Sequence, residues 1–247
     1  MSGPVHLASI DVAFTPAAAR PTQVAVVVDV LRATSTIVAA LDAGYRSVLC
    51  TRTVDRAREL DGPGRRLAGE RGCLAIEGFD RGNSPRFHDD RDGAEELVLC
   101  TTNGTPALLC ALSCAGEVLV GSLLNLDAVL HAIPADRELT VICSGTDGRF
   151  ALEDAYAAGR IVEHLAGPRS DAARVAERLA AGYADCRTPL AQSAGGALLR
   201  ATGQASDIDL CARESVSAIV PRAFAGRGAI AIVSARTPDR YLVMQAA

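Results

Sequence analysis

Residues 24–36 read VAVVVDVLRATST, and this stretch decides the fold. Five apolar residues, 24–28, run straight into Asp29. Arg32 and three hydroxyls, Thr34, Ser35 and Thr36, follow within seven positions, and an apolar run then closes on Gly44. A continuous apolar run of this length reads as a strand covered on both faces. A buried strand that ends on a carboxylate and turns into a helix gathers charge and free N–H donors at the sheet's carboxyl edge. That is where α/β proteins hold anions and metals.

The arrangement recurs. Residues 97–105, LVLCTTNGT, and 140–148, TVICSGTDG, also join an apolar run to a hydroxyl-rich loop. Periodicity predicts strands over 24–30, 47–50, 97–100, 117–120, 139–143 and 229–234. It predicts helices over 35–43, 54–60, 104–114, 125–132, 151–165, 171–183 and 189–201, with Gly44, Gly116 and Gly203 at C-cap positions. Strands alternating with helices indicate an α/β fold, layered α/β/α around a mostly parallel or mixed sheet. If the three repeated strands are parallel neighbours, their loops converge on one site. Residues 61–96 read as one long loop, with 86–96 as a mobile segment. The 247 residues are expected to form one domain, the alternative being two α/β subdomains with a break near 120–140.

Composition narrows the function. Hydrophobic residues make up 49% and charged residues 22%, enough for a sizeable core. Net charge is −4 with no basic run, so nucleic-acid binding has no electrostatic footprint. No apolar stretch approaches about 18 residues, so no membrane span is expected. The first residues have neither a basic region nor a long apolar run, so a signal peptide is not expected and a cytoplasmic location is the default. All 25 basic residues are Arg, which weakens any argument from a single one. The eight cysteines contain no CxxC pair and read as small buried hydrophobes, Cys110 and Cys114 alone sharing a helix face.

Four loops carry the candidate chemistry. Asp29 suits a hard cation or a nucleophile, against the plain reading of a turn cap, and the fork of Arg32 suits a phosphate or sulfonate. Thr102, Asn103, Gly104 and Thr105 suit an anion at a helix N-terminus, against a simple N-cap. Ser144 and Gly145 open a similar loop, and Glu153 and Asp154 follow in a first helical turn that favours acids in any case. Glu70, Arg71, Asp80, Asn83 and Ser84 fill the long loop, where few carboxylates among polar groups suit Mg²⁺ and phosphoesters. None of the four histidines stands near these motifs.

The motifs VVVDVLRATST, GERG, IEGFDRGNSP, TTNGT, CSGTDGRFALEDAYAAG and DIDLC, in this order, give the chain its likeness. It resembles the 2-phosphosulfolactate phosphatase family of coenzyme M biosynthesis over nearly its whole length. The resemblance implies a layered α/β/α fold distinct from the haloacid-dehalogenase type. It also implies Mg²⁺-dependent hydrolysis of (R)-2-phospho-3-sulfolactate, a small phosphorylated sulfonate. Carried over by motif are Asp29, Arg32, Thr34, Glu70, Arg71, Asp80, Asn83, Ser84, Thr102, Asn103, Gly104, Thr105, Gly145, Glu153 and Asp154. The chain departs from the pattern at Ser193-Ala194-Gly195-Gly196, where the family often carries a His after the Ser, and this leaves another phosphorylated hydroxy acid open as substrate.

The expected mechanism is attack of water on phosphorus. Mg²⁺ is expected on Asp29 and Asp80, with Glu153 or Asp154 next. Arg32, Arg71 and the N–H groups of 102–105 are expected to neutralise the phosphoryl oxygens, with Glu70 and Asn103 beside them. Thr34, Ser35, Asn83, Ser84, Ser144 and Gly145 complete the substrate-binding set. A covalent role for Asp29 is the rival, although Leu31 stands where haloacid-dehalogenase enzymes carry a second Asp. A non-catalytic binder of phosphorylated metabolites is a further rival, and a homo-oligomer remains open.

Overall fold

The computed structural model describes residues 4–87, 93–226 and 228–234. Among these residues ten strands form one mixed sheet. They are β1 (Ser9–Ala13), β2 (Thr22–Val28), β3 (Ser47–Thr51), β4 (Arg65–Arg71), β5 (Leu74–Ala75), β6 (Glu96–Cys100), β7 (Ala115–Gly121), β8 (Glu138–Cys143), β9 (Pro221–Ala225) and β10 (Ile230–Ser234). Their order is β1-β8-β2-β7-β9-β10-β3-β6-β4-β5. Two parallel blocks, β1-β8-β2-β7 and β3-β6-β4, are joined by the antiparallel pair β9–β10. The fold is therefore α/β with a mixed sheet, as the sequence indicates.

Among the described residues nine α-helices cover it: α1 (Ala33–Asp42), α2 (Val54–Glu59), α3 (Gly104–Cys114), α4 (Leu126–Ala132), α5 (Leu152–Glu163), α6 (Asp171–Ala181), α7 (Arg187–Gln192), α8 (Ala194–Ala201) and α9 (Ser206–Cys211). Strand β2 shows why both faces must be apolar. Val24, Val26 and Val28 pack among residues of α4, α5 and α6, while Ala25 and Val27 pack with α1 and α3. The cluster around α1 and α3 also takes Val48 of β3, Leu97 and Leu99 of β6 and Ile230 of β10. One face of the sheet thus wraps around these two helices. A third cluster joins Val30 and Tyr156 to Leu190, Leu199 and Ile208, seating α7–α9 beside the carboxyl end of β2.

Several expectations need correction. Only β2 and β8 are parallel neighbours among the three repeated strands; β6 lies five steps from β2. Its loop reaches the same site because twist of roughly 20–25° per step accumulates around the enclosed helices. The expected long loop contains β4 and β5, so Glu70 and Arg71 lie on a strand; its buried centre, Leu67 to Glu70, was hidden between charged ends. Residues 88–92 of the expected mobile segment lie outside the described residues. Gly116 belongs to β7 and caps nothing, because α3 passes directly into that strand. The helix expected over 189–201 breaks at Ser193, whose hydroxyl accepts from Gly196 N–H at 2.9 Å and donates to the Leu190 carbonyl at 2.8 Å.

Candidate active site

Asp29 follows β2 and is 7% exposed. Its carboxylate accepts from Ala33 N–H at 3.1 Å. The turn around it is tied by Thr34, whose hydroxyl donates to the Asp29 carbonyl at 2.9 Å and accepts from Asp29 N–H at 3.0 Å. The Ser35 hydroxyl donates to the Val30 carbonyl at 2.8 Å. These two hydroxyls are fully buried and brace the loop that presents Asp29.

Asp154, in the first turn of α5, accepts from Val30 N–H at 2.9 Å and from Gly145 N–H at 3.0 Å. One buried carboxylate thereby clamps the loops after β2 and β8 together. Glu153 beside it is 3% exposed, and its Oε2 has no hydrogen-bond partner. Glu70 accepts from Thr102 N–H at 2.9 Å and from Cys73 N–H at 3.1 Å, fixing the loop before α3. Gly104 opens α3 hard against Asp29: a Cβ there would stand 2.5 Å from Ala33 Cβ and 2.9 Å from Asp29 Oδ2. Asn103 Oδ1 accepts from Asp147 N–H at 3.1 Å, linking the loops after β6 and β8. Thr105 N–H donates to Thr101 Oγ1 at 3.1 Å.

The acids act on one another. Burial raises the Asp29 carboxyl; the Ala33 N–H opposes this, and the charges of Glu70 and Glu153 add to it, leaving the carboxyl at about 7. The Ser144 hydroxyl also lies against Asp29 and lowers it slightly, yet it makes no hydrogen bond of ordinary geometry. Burial, then Asp29 and Glu153, holds Asp154 well above the usual carboxylate range. Burial raises Glu153, partly offset by its own backbone N–H and by Ser193. Buried carboxylates that repel one another are a site that a cation would relieve. Among the described residues no three His, Cys, Asp or Glu side chains form a ready-made metal cage.

Other candidates are engaged by the protein itself or face solvent. Arg32 is 2% exposed and bonded to Asp207 at 2.6 Å, to the Cys73 carbonyl at 3.1 Å and to Gln204 Oε1. Ser84 donates to Asp207 Oδ1 at 2.8 Å, so Asp207 latches Arg32 and the 83–86 loop to α9. The Asn83 carbonyl accepts from the Thr36 hydroxyl at 3.2 Å, while its side-chain oxygen is buried without a partner. Asp80 is exposed and accepts from Leu67 N–H at 2.7 Å. Arg71 is exposed and donates to the carbonyls of Glu70 and Arg52 and to Cys100 Sγ.

Sequence reasoning left out Asp207 and Arg149, although both stand inside the motifs DIDLC and GTDGR. Two clefts flank the loop that carries Arg149. One, of about 570 Å³, is lined by Arg149, Phe150, Glu153, Gln192 and Ala194; the other, of about 340 Å³, by Thr102, Asn103 and Ser144. The two glycines of the departure at 193–196 are closely packed. A Cβ at Gly195 would stand 2.3 Å from Glu153 Oε1, and one at Gly196 would stand 2.1 Å from the Leu190 carbonyl oxygen. Ser193 and Ala194 line the larger cleft.

The sequence profile of the 2-phosphosulpholactate phosphatase family matches residues 12–225. A protein of Deinococcus radiodurans named probable 2-phosphosulfolactate phosphatase is 42% identical over 208 residues, covering 80% of this chain and 86% of the relative. One of Thermotoga petrophila with the same name is 35% identical over 215 residues, covering 86% and 94%. One of Thermus thermophilus, again so named, is 37% identical over 205 residues, covering 80% and 86%.

Proposed function

We propose, on the premise that the chain belongs to the 2-phosphosulfolactate phosphatase family, that this phosphatase hydrolyses (R)-2-phospho-3-sulfolactate to 3-sulfolactate and phosphate with Mg²⁺. The observation that carries the reading is the buried carboxylate of Asp29, repelled by Glu70 and Glu153, beside the N-terminus of α3. A phosphoester would meet N–H donors there, and the carboxylates would repel it unless a cation intervened.

The donor set fits Mg²⁺, which is satisfied by one or two carboxylates together with water and phosphate oxygens. Asp29 and Glu153 would hold it, the latter through the buried Oε2 that has no protein partner. Asp80 is exposed and already accepts from Leu67 N–H, and Asp154 is committed to two backbone N–H groups. When bound, Mg²⁺ neutralises phosphoryl charge and polarises the ester toward attack by water. The chain's own residues do the positioning. At the start of α3 the N–H groups of Asn103 and Gly104 would face the phosphoryl oxygens, since that of Thr105 goes to Thr101 Oγ1 and Pro106 has none. Glu70 holds the preceding loop through Thr102. Asp154 fixes the loop of Asp29 against that of Ser144. The transition state of phosphoryl transfer is loose, so positioning and charge neutralisation carry most of the rate. Arg32 serves by holding the start of α1 against α9, since its guanidinium is already engaged.

Phosphate release from (R)-2-phospho-3-sulfolactate tests the reading. Metal-dependent release that Asp29→Asn abolishes is expected. Release that survives in that variant would remove Asp29 from its role.

A further inference from the structure

The cleft of about 570 Å³ exceeds what a phosphoryl group alone would fill and falls within the size range of small-molecule sites, roughly 300–1,000 Å³. Glu153 lies deep in it, buried, with Oε2 unpartnered. Arg149 and Gln192 stand exposed on its wall, and among the described residues neither side chain makes a hydrogen bond or ion pair. This sets Arg149 apart from Arg32 and Arg71, which the protein engages itself.

Arg149 is also well anchored. Its N–H donates to the Thr146 carbonyl at 2.9 Å, and Thr146 N–H donates to its carbonyl at 2.9 Å. Gly145, at φ +64°, leaves no room for a Cβ, which would stand 2.2 Å from the Arg149 carbonyl oxygen. The turn therefore fixes the backbone from which the exposed Arg149 guanidinium extends, in the cleft that Glu153 also lines. A fork without a carboxylate partner is a receptor for an oxyanion.

We propose that Arg149, with the Gln192 amide as a second donor, binds the acidic group that the substrate carries beside its phosphoester carbon, and so selects the substrate. The inference rests on the phosphatase reading above. A carboxylate and a sulfonate present the same chemistry to the fork, so the test separates them.

Arg149→Ala and Arg149→Lys are assayed on three substrates. These are (R)-2-phospho-3-sulfolactate, 2-phospholactate (without the sulfonate) and 2-phosphooxyethanesulfonate (without the carboxylate). In Arg149→Ala, KM for the full substrate should rise about tenfold or more, by a larger factor than kcat falls, and Arg149→Lys should recover part of it. The analogue whose KM the substitution leaves unmoved identifies the group that Arg149 binds. A KM unchanged on the full substrate, or raised equally on all three, overturns the proposal.

Calorimetric titration with 3-sulfolactate, which has no phosphoryl group, separates this failure from that of the phosphatase reading. Binding by the native protein that is lost in Arg149→Ala supports the subsite even without turnover. Turnover that Arg149→Ala leaves intact keeps the phosphatase and discards the subsite. Neither turnover nor binding by the native protein discards both.

Discussion

Asp29→Asn should make the metal-free protein more stable at neutral and alkaline pH while removing its activity. The Asp29 carboxyl rises from the ordinary 3.8 to about 7 through burial first and then through Glu70 and Glu153. At about 1.4 kcal/mol per pH unit, that rise corresponds to about 4 kcal/mol of destabilisation once the group is ionised. The sign follows from proton counting. Between 3.8 and about 7 the folded state keeps a proton that the unfolded chain has released, so stability falls as pH rises through that window. Asparagine keeps the shape and still accepts the Ala33 N–H bond, but carries no charge. The figure of about 4 kcal/mol is a ceiling, because water entering the cleft relaxes the repulsion. A gain of about 1–2 kcal/mol over the native protein near pH 8, vanishing near pH 3.5, is the working expectation. Urea unfolding with chelator present, at both pH values, measures it. Equal or lower stability of Asp29→Asn near pH 8 would refute the reasoning that Asp29 is a strained, repelled carboxylate.

Other substitutions follow from the same geometry. Gly104→Ala forces a Cβ against Ala33 and Asp29 Oδ2, so it should destabilise by about 1–3 kcal/mol and lower kcat more than it raises KM; steady-state kinetics with thermal melting checks both. Asp207→Ala strands the buried Arg32 charge and should cost about 3–5 kcal/mol in urea unfolding, whereas Arg32→Met with Asp207→Leu should recover most of it. Gly195→Ala drives a methyl into Glu153 Oε1, and should weaken activation by Mg²⁺ more than it lowers the melting temperature. Adding Mg²⁺ to the metal-free protein should raise its melting temperature, and Asp29→Asn should abolish that rise.

The pattern of residues 24–28 revealed a doubly covered strand because both of its faces are apolar, and the α/β class followed. Strand β4 stayed hidden because charged residues occupy its ends while only four central positions are buried. Helix α7 could not be parted from α8 by periodicity, since the break depends on a serine hydroxyl reaching both neighbours. At the site, the acids and hydroxyls stand in readable motifs, but their partners do not. Arg32 meets Asp207 from 175 positions away, and Gly104 meets Asp29 although four strands separate β6 from β2 in the sheet. Such pairings arise from the curl of the sheet, which no local pattern encodes. Arg149 was legible only as one of many arginines until its lack of a partner and its place in a cleft distinguished it.

Phosphate release from (R)-2-phospho-3-sulfolactate by the purified protein, with Mg²⁺ and then with excess chelator, tests the central claim most directly. Turnover that requires the metal and disappears in Asp29→Asn is the predicted result. Folded protein that releases no phosphate from this ester, or releases it equally well under chelation, would contradict the claim.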